Sequence, residues 1–579
     1  MRLNLESVVE NELVEDDHSV WCLKGHGEFG YSDGRSSERY LQDVFAKSTD
    51  LSTHSAELET YIKDWPSEYH LSTKRAQLLA GFSFDSSLSV LEVGCGCGAI
   101  TRHLGENFEQ VISVEGNINR ARLAKQRSKE LDSVSVICAP FQEIRFQHRF
   151  DVIFCIGVLE YSAAFIESED PYDAALKYFA DMLNPDGIVV IAIENQFGLK
   201  YFSSAHEDHL GVMFEGLEGY HQNIGKVRTF GKAELESRLK NYFREIEFYY
   251  PYPDYKIPEC VIADEFLASG KPGELISQMR SRNYSGQAPV LWDEAATVLE
   301  LARNGMLDFF ANSFLVLAGR KQIKGVSFDQ QAVIFSSGRK PAYSTRTSIL
   351  KRENGELVVE KRKLVDCGAS ADDETRLRLE ETDSPWIDEL SLHSMIYLRA
   401  RSTRCSLREI FEPCSGWLQM LTQQASTKNG VHYLDGNHID SLWPNTYLVD
   451  GAPIIIDKEW VWQQQIRLNV VVIRAIYDFL CRMESLRLPL KSLSATSGKK
   501  LVQEIASILG VSLDDSDFVE FLYLETELSW IVSGISRDRQ KMFIRWFLLS
   551  PPSRRLFRRY KPVVNELVAR MISRVRSYF

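Results

Sequence analysis

No stretch of the 579 residues approaches eighteen uninterrupted apolar side chains, so no membrane-crossing helix is expected. The acidic amino-terminal run MRLNLESVVENELVEDD contains no apolar segment of signal-peptide length. Ten cysteines are scattered at irregular spacings, unlike the regular framework of a disulfide scaffold. The nearest pair, Cys95 and Cys97, sits inside a glycine-rich stretch with no matching second pair, which argues for small residues filling a tight turn over a zinc site. A formal net charge of −13 leaves no overall attraction for nucleic acid. Internal repeats and long low-complexity segments are absent. These absences point to a cytoplasmic, reducing-compartment protein.

The composition that remains, 44% hydrophobic and 25% charged, is ordinary for globular protein. The length has room for several domains of about 150 residues. Residues 1–75 mix a strand-turn stretch (VWCLKGHGEFGYSDG) with helical ones (SAELETYIKDW) and read as a cap region. From 76 to 323 short β-rich runs alternate with helical ones: SVLEV, VISVE, SVSVICA, FDVIFCIG and IVVIAIEN, with EIEFYY and NSFLVLAG closing the sheet. That alternation is the pattern of an α/β fold with a parallel sheet covered by helices. A helical insertion (EFLASGKPGELISQM and DEAATVLELARNG) interrupts it. After GRKQIKG the pattern becomes a meander of strands (QAVIFSS, AYSTRTSILKR, ELVVEKRKL) turning at Glu353-Asn354-Gly355. This predicts an α+β domain over 324–480, then a helical region over 481–579.

The strongest constellation is Glu92-Val93-Gly94-Cys95-Gly96-Cys97-Gly98, after a predicted strand and opening a helix. Glycines there let the backbone turn sharply and let a ligand approach the main chain. The spacing is E-x-G-x-G-x-G, not the G-x-G-x-x-G of dinucleotide oxidoreductases, which disfavours a nicotinamide nucleotide. The next strand ends in Glu115, where an acidic side chain can accept from both hydroxyls of a ribose. The plainer alternative is a tight turn beside a solvated strand end.

This part, over roughly residues 65–320, resembles the class I S-adenosylmethionine-dependent methyltransferases with a Rossmann-like fold. The resemblance implies that Glu92, Gly94, Gly96 and Gly98 lie beside the methionine portion of the cofactor and that Glu115 holds the ribose. It places Pro140, Phe141 and Gln142 around the adenine, with Ile156, Gly157 and Leu159 lining the site below. The strings IGVLEY, AIENQFGLKYF, EDH and PYPDYKIP look like a bacterial group of large surface-polysaccharide (O-antigen type) methyltransferases, often fused to glycosyltransferase or kinase-like modules. That resemblance suggests a glycan, nucleotide-sugar or sugar-phosphate substrate. A small metabolite or lipid acceptor, or a non-catalytic scaffold for glycan assembly, are the competing readings.

The polar stretch expected at the carboxyl edge of the sheet is Glu194-Asn195-Gln196 followed by His206-Glu207-Asp208-His209. Methyl transfer from a sulfonium needs mainly alignment, and a hydroxyl acceptor also benefits from a base. His209, Asp208 or Glu207 could serve as that base, and Glu160 or Glu194 could contact acceptor or cofactor. The alternatives are a charge-rich surface loop and a metal site from the same residues, which no ligand spacing favours.

In the second half, His438, Asp440 and Asn445 reproduce the H-x-D-x-x-x-x-N spacing of a kinase catalytic loop, and Asp457 follows after the strand APIII. Phosphoryl transfer uses a carboxylate to orient the acceptor and an Asn/Asp pair to hold magnesium. Lys361, with Lys363 as alternative, would contact the phosphates of Mg-ATP, and Glu380 or Glu381 would pair with it from a following helix. The segment resembles the protein-kinase-like fold of small-molecule and sugar kinases. It departs from that pattern in having Lys-Glu-Trp after Asp457 and only SSGRK for a glycine loop. From Pro551 to Phe579 there are eight Arg or Lys residues and one Glu. Arg554, Arg555, Arg558 and Arg559 are interleaved with Leu556, Phe557 and Tyr560. Such a segment can dock peripherally on the inner face of the cytoplasmic membrane, or be a solvated helix face.

Overall fold

A computed structural model describes residues 5, 8–25, 30, 34–221, 227–284, 292–365, 376–401, 405–483 and 497–550. The basic tail from Pro551 onward lies outside the described residues. The chain forms two compact units. The first comprises residues 1–273, 279–286 and 301–334, and the second comprises 274–278, 287–300 and 335–579.

The first unit is built on β1 (Leu13–Glu15), β2 (Trp21–Leu23), β3 (Ser83–Phe84), β4 (Ser89–Val93), β5 (Gln110–Glu115), β6 (Val134–Cys138), β7 (Phe150–Ile156), β8 (Leu183–Glu194), β9 (Glu245–Tyr252), β10 (Cys260–Ala263), β11 (Ser313–Gly319) and β12 (Val326–Ser327). Its main sheet runs β1-β2-β6-β5-β4-β7-β8-β11-β9-β10. Strands β6, β5, β4, β7 and β8 are parallel neighbours. β11 inserts antiparallel between β8 and β9. The central parallel strands are buried almost throughout, because helices cover both faces of such a sheet and its strands read as unbroken apolar runs. Switching strand order on either side of β4 opens a crevice at the carboxyl ends, where open α/β sheets place their ligands.

Five helices precede or flank this crevice: α1 (Arg35–Lys47), α2 (Ala56–Glu59), α3 (Trp65–Leu71), α4 (Ala99–Asn107) and α5 (Ile118–Arg127). Asn117 caps α5 by accepting from the backbone of Asn119 and Arg120, and Asp64 closes a capping box on α3; both satisfy donors that a helix start leaves open. The cap region is not a body of its own. Its β2 pairs in parallel with β6 and extends the sheet.

The second unit contains an antiparallel meander, Thr345–Lys351, Leu357–Lys363 and Thr382–Pro385, followed by mostly helical chain. One core joins Leu377, Leu392, Trp417, Trp443, Ile473 and Phe479 to Leu501, Phe521 and Phe547. The helices Gly498–Ile508, Asp515–Ser533 and Arg537–Leu549 therefore share one core with the chain between 377 and 480, and lie in the same compact unit as the meander. The expected boundary between 480 and 481 does not separate two cores. The other boundary also differs, since the first unit continues to residue 334 and parts of its helical insertion belong to the second. There Glu274 accepts from Ser394 at 2.8 Å, and Asp293 pairs with Arg401 at 3.1 Å. Buried carboxylates with dedicated partners fix those segments in place; a periodicity pattern carries no information about such long-range pairing.

Candidate active site

Strand β4 ends where the glycine loop begins. Gly94, Gly96 and Gly98 all have positive φ. At Gly94 a Cβ would lie 2.4 Å from the Val158 side chain, and at Gly98 2.7 Å from the Ala124 backbone. Gly98 thus serves the packing of α4 on α5, and Gly94 the approach of the β7 turn. Glu92 is buried and accepts from Thr101 and Ser113, both at 2.7 Å. It ties β4 to α4 and β5, and burial pushes its carboxyl up to about 7 against those bonds. Glu115 ends β5 and accepts from the backbone N–H of Gly96 at 2.9 Å and of Asn117 at 3.0 Å.

A cavity of about 250 Å³ opens over this loop. Glu92, Gly94, Gly96, Glu115, Pro140, Phe141, Gln142 and Ile156 line one end, as do Asp208, His209 and Glu160 the other. Gly98 is set behind the wall. Gln142 donates to the Phe165 carbonyl at 3.0 Å, which fixes its amide at the rim.

The acceptor-side cluster is assembled from four separated segments. Glu160 stands in the turn after β7, Glu194 ends β8, and His209 follows a tight turn held by Glu207. The Glu207 carboxylate accepts from the backbone of His209 at 2.8 Å and of Leu210 at 2.7 Å. The fourth segment, Pro251–Pro258, supplies Asp254, Tyr255 and Lys256. Its backbone is anchored by Ser313, which accepts from Tyr255 N at 2.8 Å, and by Asn312, which donates to the Pro253 carbonyl at 2.9 Å.

His209 Nε2 lies 3.2 Å from Glu194 Oε2, and its Nδ1 is 2.8 Å from the Tyr161 hydroxyl. Lys256 pairs with both Glu194 and Asp208. Lys200 pairs with Asp208 at 2.8 Å. Burial would lower the His209 imidazole, but the Glu194 charge outweighs it and raises the group to about 9. Burial and the neighbouring Glu194 push Glu160 up to about 8. Burial works against ionised Glu194, yet Lys256 and His209 hold it well below the carboxylate range. Asp208 is likewise held down, against its burial, by Lys200 and Lys256.

These contacts separate the three base candidates. Glu207 is a turn-forming carboxylate, raised by burial, and Asp208 is locked between two lysines. Of the three, His209 alone is neither a turn-forming carboxylate nor locked between lysines; it lines the cavity and its Nε2 faces Glu194 Oε2 at 3.2 Å.

Sequence reasoning missed Arg75, Trp65, Tyr69, Lys256 and Tyr284, which also line the cavity. Arg75 is 4% exposed. It donates to the carbonyls of Tyr255 at 3.1 Å and Lys256 at 2.9 Å, while its Nε is buried without a partner. Trp65 packs on Tyr284 with ring centroids 3.9 Å apart, and Tyr284 donates to Asp254 at 2.7 Å. Lys256 and Tyr255 stand inside the string PYPDYKIP, the one signal that could have found them.

In the second unit, Lys361 pairs with Asp457 and lies 3.2 Å from Glu459. Asn445 donates to the Asp440 carboxylate at 2.9 Å. Burial raises Asp440 to about 6, with Arg474 opposing and Asp457 adding to the shift. His438 meets the Ser441 hydroxyl at 3.0 Å. Asp457 has φ 57, a conformation that non-glycine residues seldom hold outside functional or strained positions. The expected Glu380 or Glu381 partner of Lys361 is not found. Both precede the strand Thr382–Pro385, not a helix, and Glu381 instead accepts from the Lys363 backbone at 3.0 Å. Glu380 pairs with Arg378 instead, and Lys361 meets Asp457 and Glu459.

Residues 91–191 match the protein family described as methyltransferase domain. A ubiquinone biosynthesis O-methyltransferase of Bradyrhizobium diazoefficiens is 30% identical over 19% of this chain and 41% of its own length. A dTDP-3-amino-3,6-dideoxy-alpha-D-glucopyranose N,N-dimethyltransferase of Streptomyces fradiae is 27% identical over 21% of this chain and 46% of its own. The chain thus spans under half the length of these curated relatives. Among solved structures, the N-methyltransferase NodS of Bradyrhizobium japonicum with S-adenosyl-L-homocysteine aligns at 18% identity over 38% of this chain and 93% of its own, with TM-score 0.24.

Proposed function

Proceeding from a class I, Rossmann-like methyltransferase domain in the first unit, we propose that the chain transfers the methyl group of S-adenosylmethionine to an oxygen of a sugar or sugar phosphate in bacterial surface-glycan assembly. The observation that carries this reading is one cavity with the glycine loop and Glu115 at one end and Glu160 and His209 at the other, with Glu194 behind them holding His209 at 3.2 Å. Bound S-adenosylmethionine supplies an electrophilic methyl carbon on a sulfonium. Glu115 accepts from the ribose hydroxyls, and Pro140 and Phe141 flank the adenine.

Arg75 takes the cofactor's amino-acid carboxylate. Its guanidinium is held by two carbonyls and the Tyr69 ring at 4.4 Å, without a carboxylate in salt-bridge contact among the described residues, and a carboxylate is the anion its planar fork fits. At the other end, Trp65, Tyr69 and Tyr284 offer flat apolar faces to a sugar ring, and the carboxyl oxygens accept from its hydroxyls. The Streptomyces relative, whose name specifies an amino sugar, supports the sugar class. The quinone-pathway relative supports the competing small-metabolite acceptor.

Calorimetric titration of the full chain with S-adenosylhomocysteine should saturate. Arg75→Gln should weaken it about tenfold or more, since a hydrogen bond to a charged group is worth about 1.5–3 kcal/mol. Absence of binding would remove the cofactor assignment. Methyl-labelled cofactor offered to glycans and to quinone precursors then decides the acceptor, and label entering only the quinones would overturn the sugar reading.

A second reading concerns the other unit. We infer that it binds a magnesium nucleotide as a kinase-like module. Lys361, Asp457, Asp440 and Asn445 are drawn together there. A cavity of about 550 Å³ beside Asp457 is lined by Trp386, Ile387, Val449, Ile454 and Ile456. Asp383, Asp388, Glu389 and Lys458 line it as well; the apolar side suits a base, and the carboxylates suit the magnesium that its phosphates carry. Mg-ATP at millimolar concentration should raise the melting midpoint of the full chain, because a ligand selective for the folded state stabilises it. Asp457→Asn should abolish the rise. No rise with the unaltered chain would leave the unit without a nucleotide role. The full chain is required because segments 274–278 and 287–300 complete this unit.

A further inference from the structure

We propose that Glu160, Glu194 and His209 form a binding site for a divalent metal cation, best matched by manganese, at the acceptor end of the cavity. One ligand atom from each of the three lies within 4.8 Å of the others. A cation about 2.2 Å from each donor spans such a gap after sub-ångström adjustment.

Each of the three residues is gripped on one atom and left open on another. Glu160 Oε1 accepts from the Tyr255 hydroxyl at 3.5 Å, while its Oε2 is buried without a hydrogen-bond partner. Glu194 Oε1 is held by Lys256 and by Tyr255 at 3.3 Å, while its Oε2 makes no aligned hydrogen bond. His209 Nδ1 is held by the Tyr161 hydroxyl at 2.8 Å, while its Nε2, 3.2 Å from Glu194, makes none either. Glu160 and Glu194 are fully buried and the His209 side chain is 6% exposed. Buried polar atoms almost always find partners; Glu160 Oε2 has none, and Glu194 Oε2 and His209 Nε2 face each other at 3.2 Å without an aligned hydrogen bond, so a cation taking all three would satisfy the orphaned oxygen and replace that pairing. An outer shell that fixes each ligand while leaving the inner atom free is the arrangement metal ligands have.

Lys256 stays on the outer atom of Glu194 and on Asp208, so it does not occupy the inner position. Two carboxylates with one imidazole suit manganese better than the softer sites that select copper or iron–sulfur clusters. Glu160 and His209 line the cavity, so further coordination positions on that side would take hydroxyl or carboxylate oxygens of the methyl acceptor. That role rests on the methyl-transfer reading; the binding itself does not.

The test uses the full chain, stripped with chelator and titrated with manganese chloride alone, with free ion followed by electron paramagnetic resonance. One saturable site per chain is expected, weakened at least tenfold by Glu160→Gln and by His209→Ala. Tyr161→Phe should weaken it less while leaving the protein folded, as checked by thermal melting. Absence of saturable binding by the unaltered chain overturns the proposal, as does binding that both ligand variants leave unchanged. Because no cofactor is present, a negative result is separate from failure to bind S-adenosylhomocysteine, which calorimetry reports on the same preparations.

Discussion

Glu115→Ala is expected to weaken S-adenosylhomocysteine binding by roughly ten- to a hundredfold. The side chain is 5% exposed and already holds the backbone of Gly96 and Asn117. Its loss removes a charged acceptor for the ribose and also frees two N–H groups that shape the loop. A hydrogen bond to a charged group contributes about 1.5–3 kcal/mol, and each 1.4 kcal/mol is about tenfold in affinity. Glu115→Gln, which keeps an acceptor oxygen, should lie between the variant and the unaltered chain. Calorimetry checks both, with melting curves to show that the fold persists. An alanine variant that binds within twofold of the unaltered chain would disprove the ribose assignment.

Gly436→Ala should destabilise the second unit by about 3 kcal/mol or more, toward the upper end of overpacking costs. A Cβ at this position would lie 1.6 Å from the carbonyl oxygen of Trp462, and no rotamer relieves a clash with backbone. Relief requires moving the strand Trp460–Trp462, whose two tryptophans are 8% and 4% exposed in the core. The same turn, Gly436–His438, leads into Asp440, so nucleotide binding should fall with stability. For a unit of this size the midpoint is expected to drop by roughly 6–12 °C. Calorimetric scanning of the full chain tests this on the second unit's transition, and an unchanged transition would mean that the turn sits elsewhere in solution.

The sequence by itself determined the parallel core of the first unit and the closeness of its glycine loop to Glu115. Those features are local: a strand ending in E-x-G-x-G-x-G, a helix, and a second strand ending in Glu115 lie within one βαβ unit, so spacing along the chain equals arrangement in space. Tertiary structure alone decided which of the polar candidates meet, and added Lys256 to them. Glu160, Glu194, His209 and Lys256 come from four segments that meet only because β7 and β8 lie side by side and the loop Pro251–Pro258 is anchored by Asn312 and Ser313. Arg75 became visible only through its unpartnered buried Nε, since an arginine in sequence does not disclose whether water or protein surrounds it. The unit boundaries failed for the same reason. Glu274 and Asp293 join the second unit through hydrogen bonds and an ion pair to residues a hundred positions away, and periodicity reports only which face of a segment is buried, never against what.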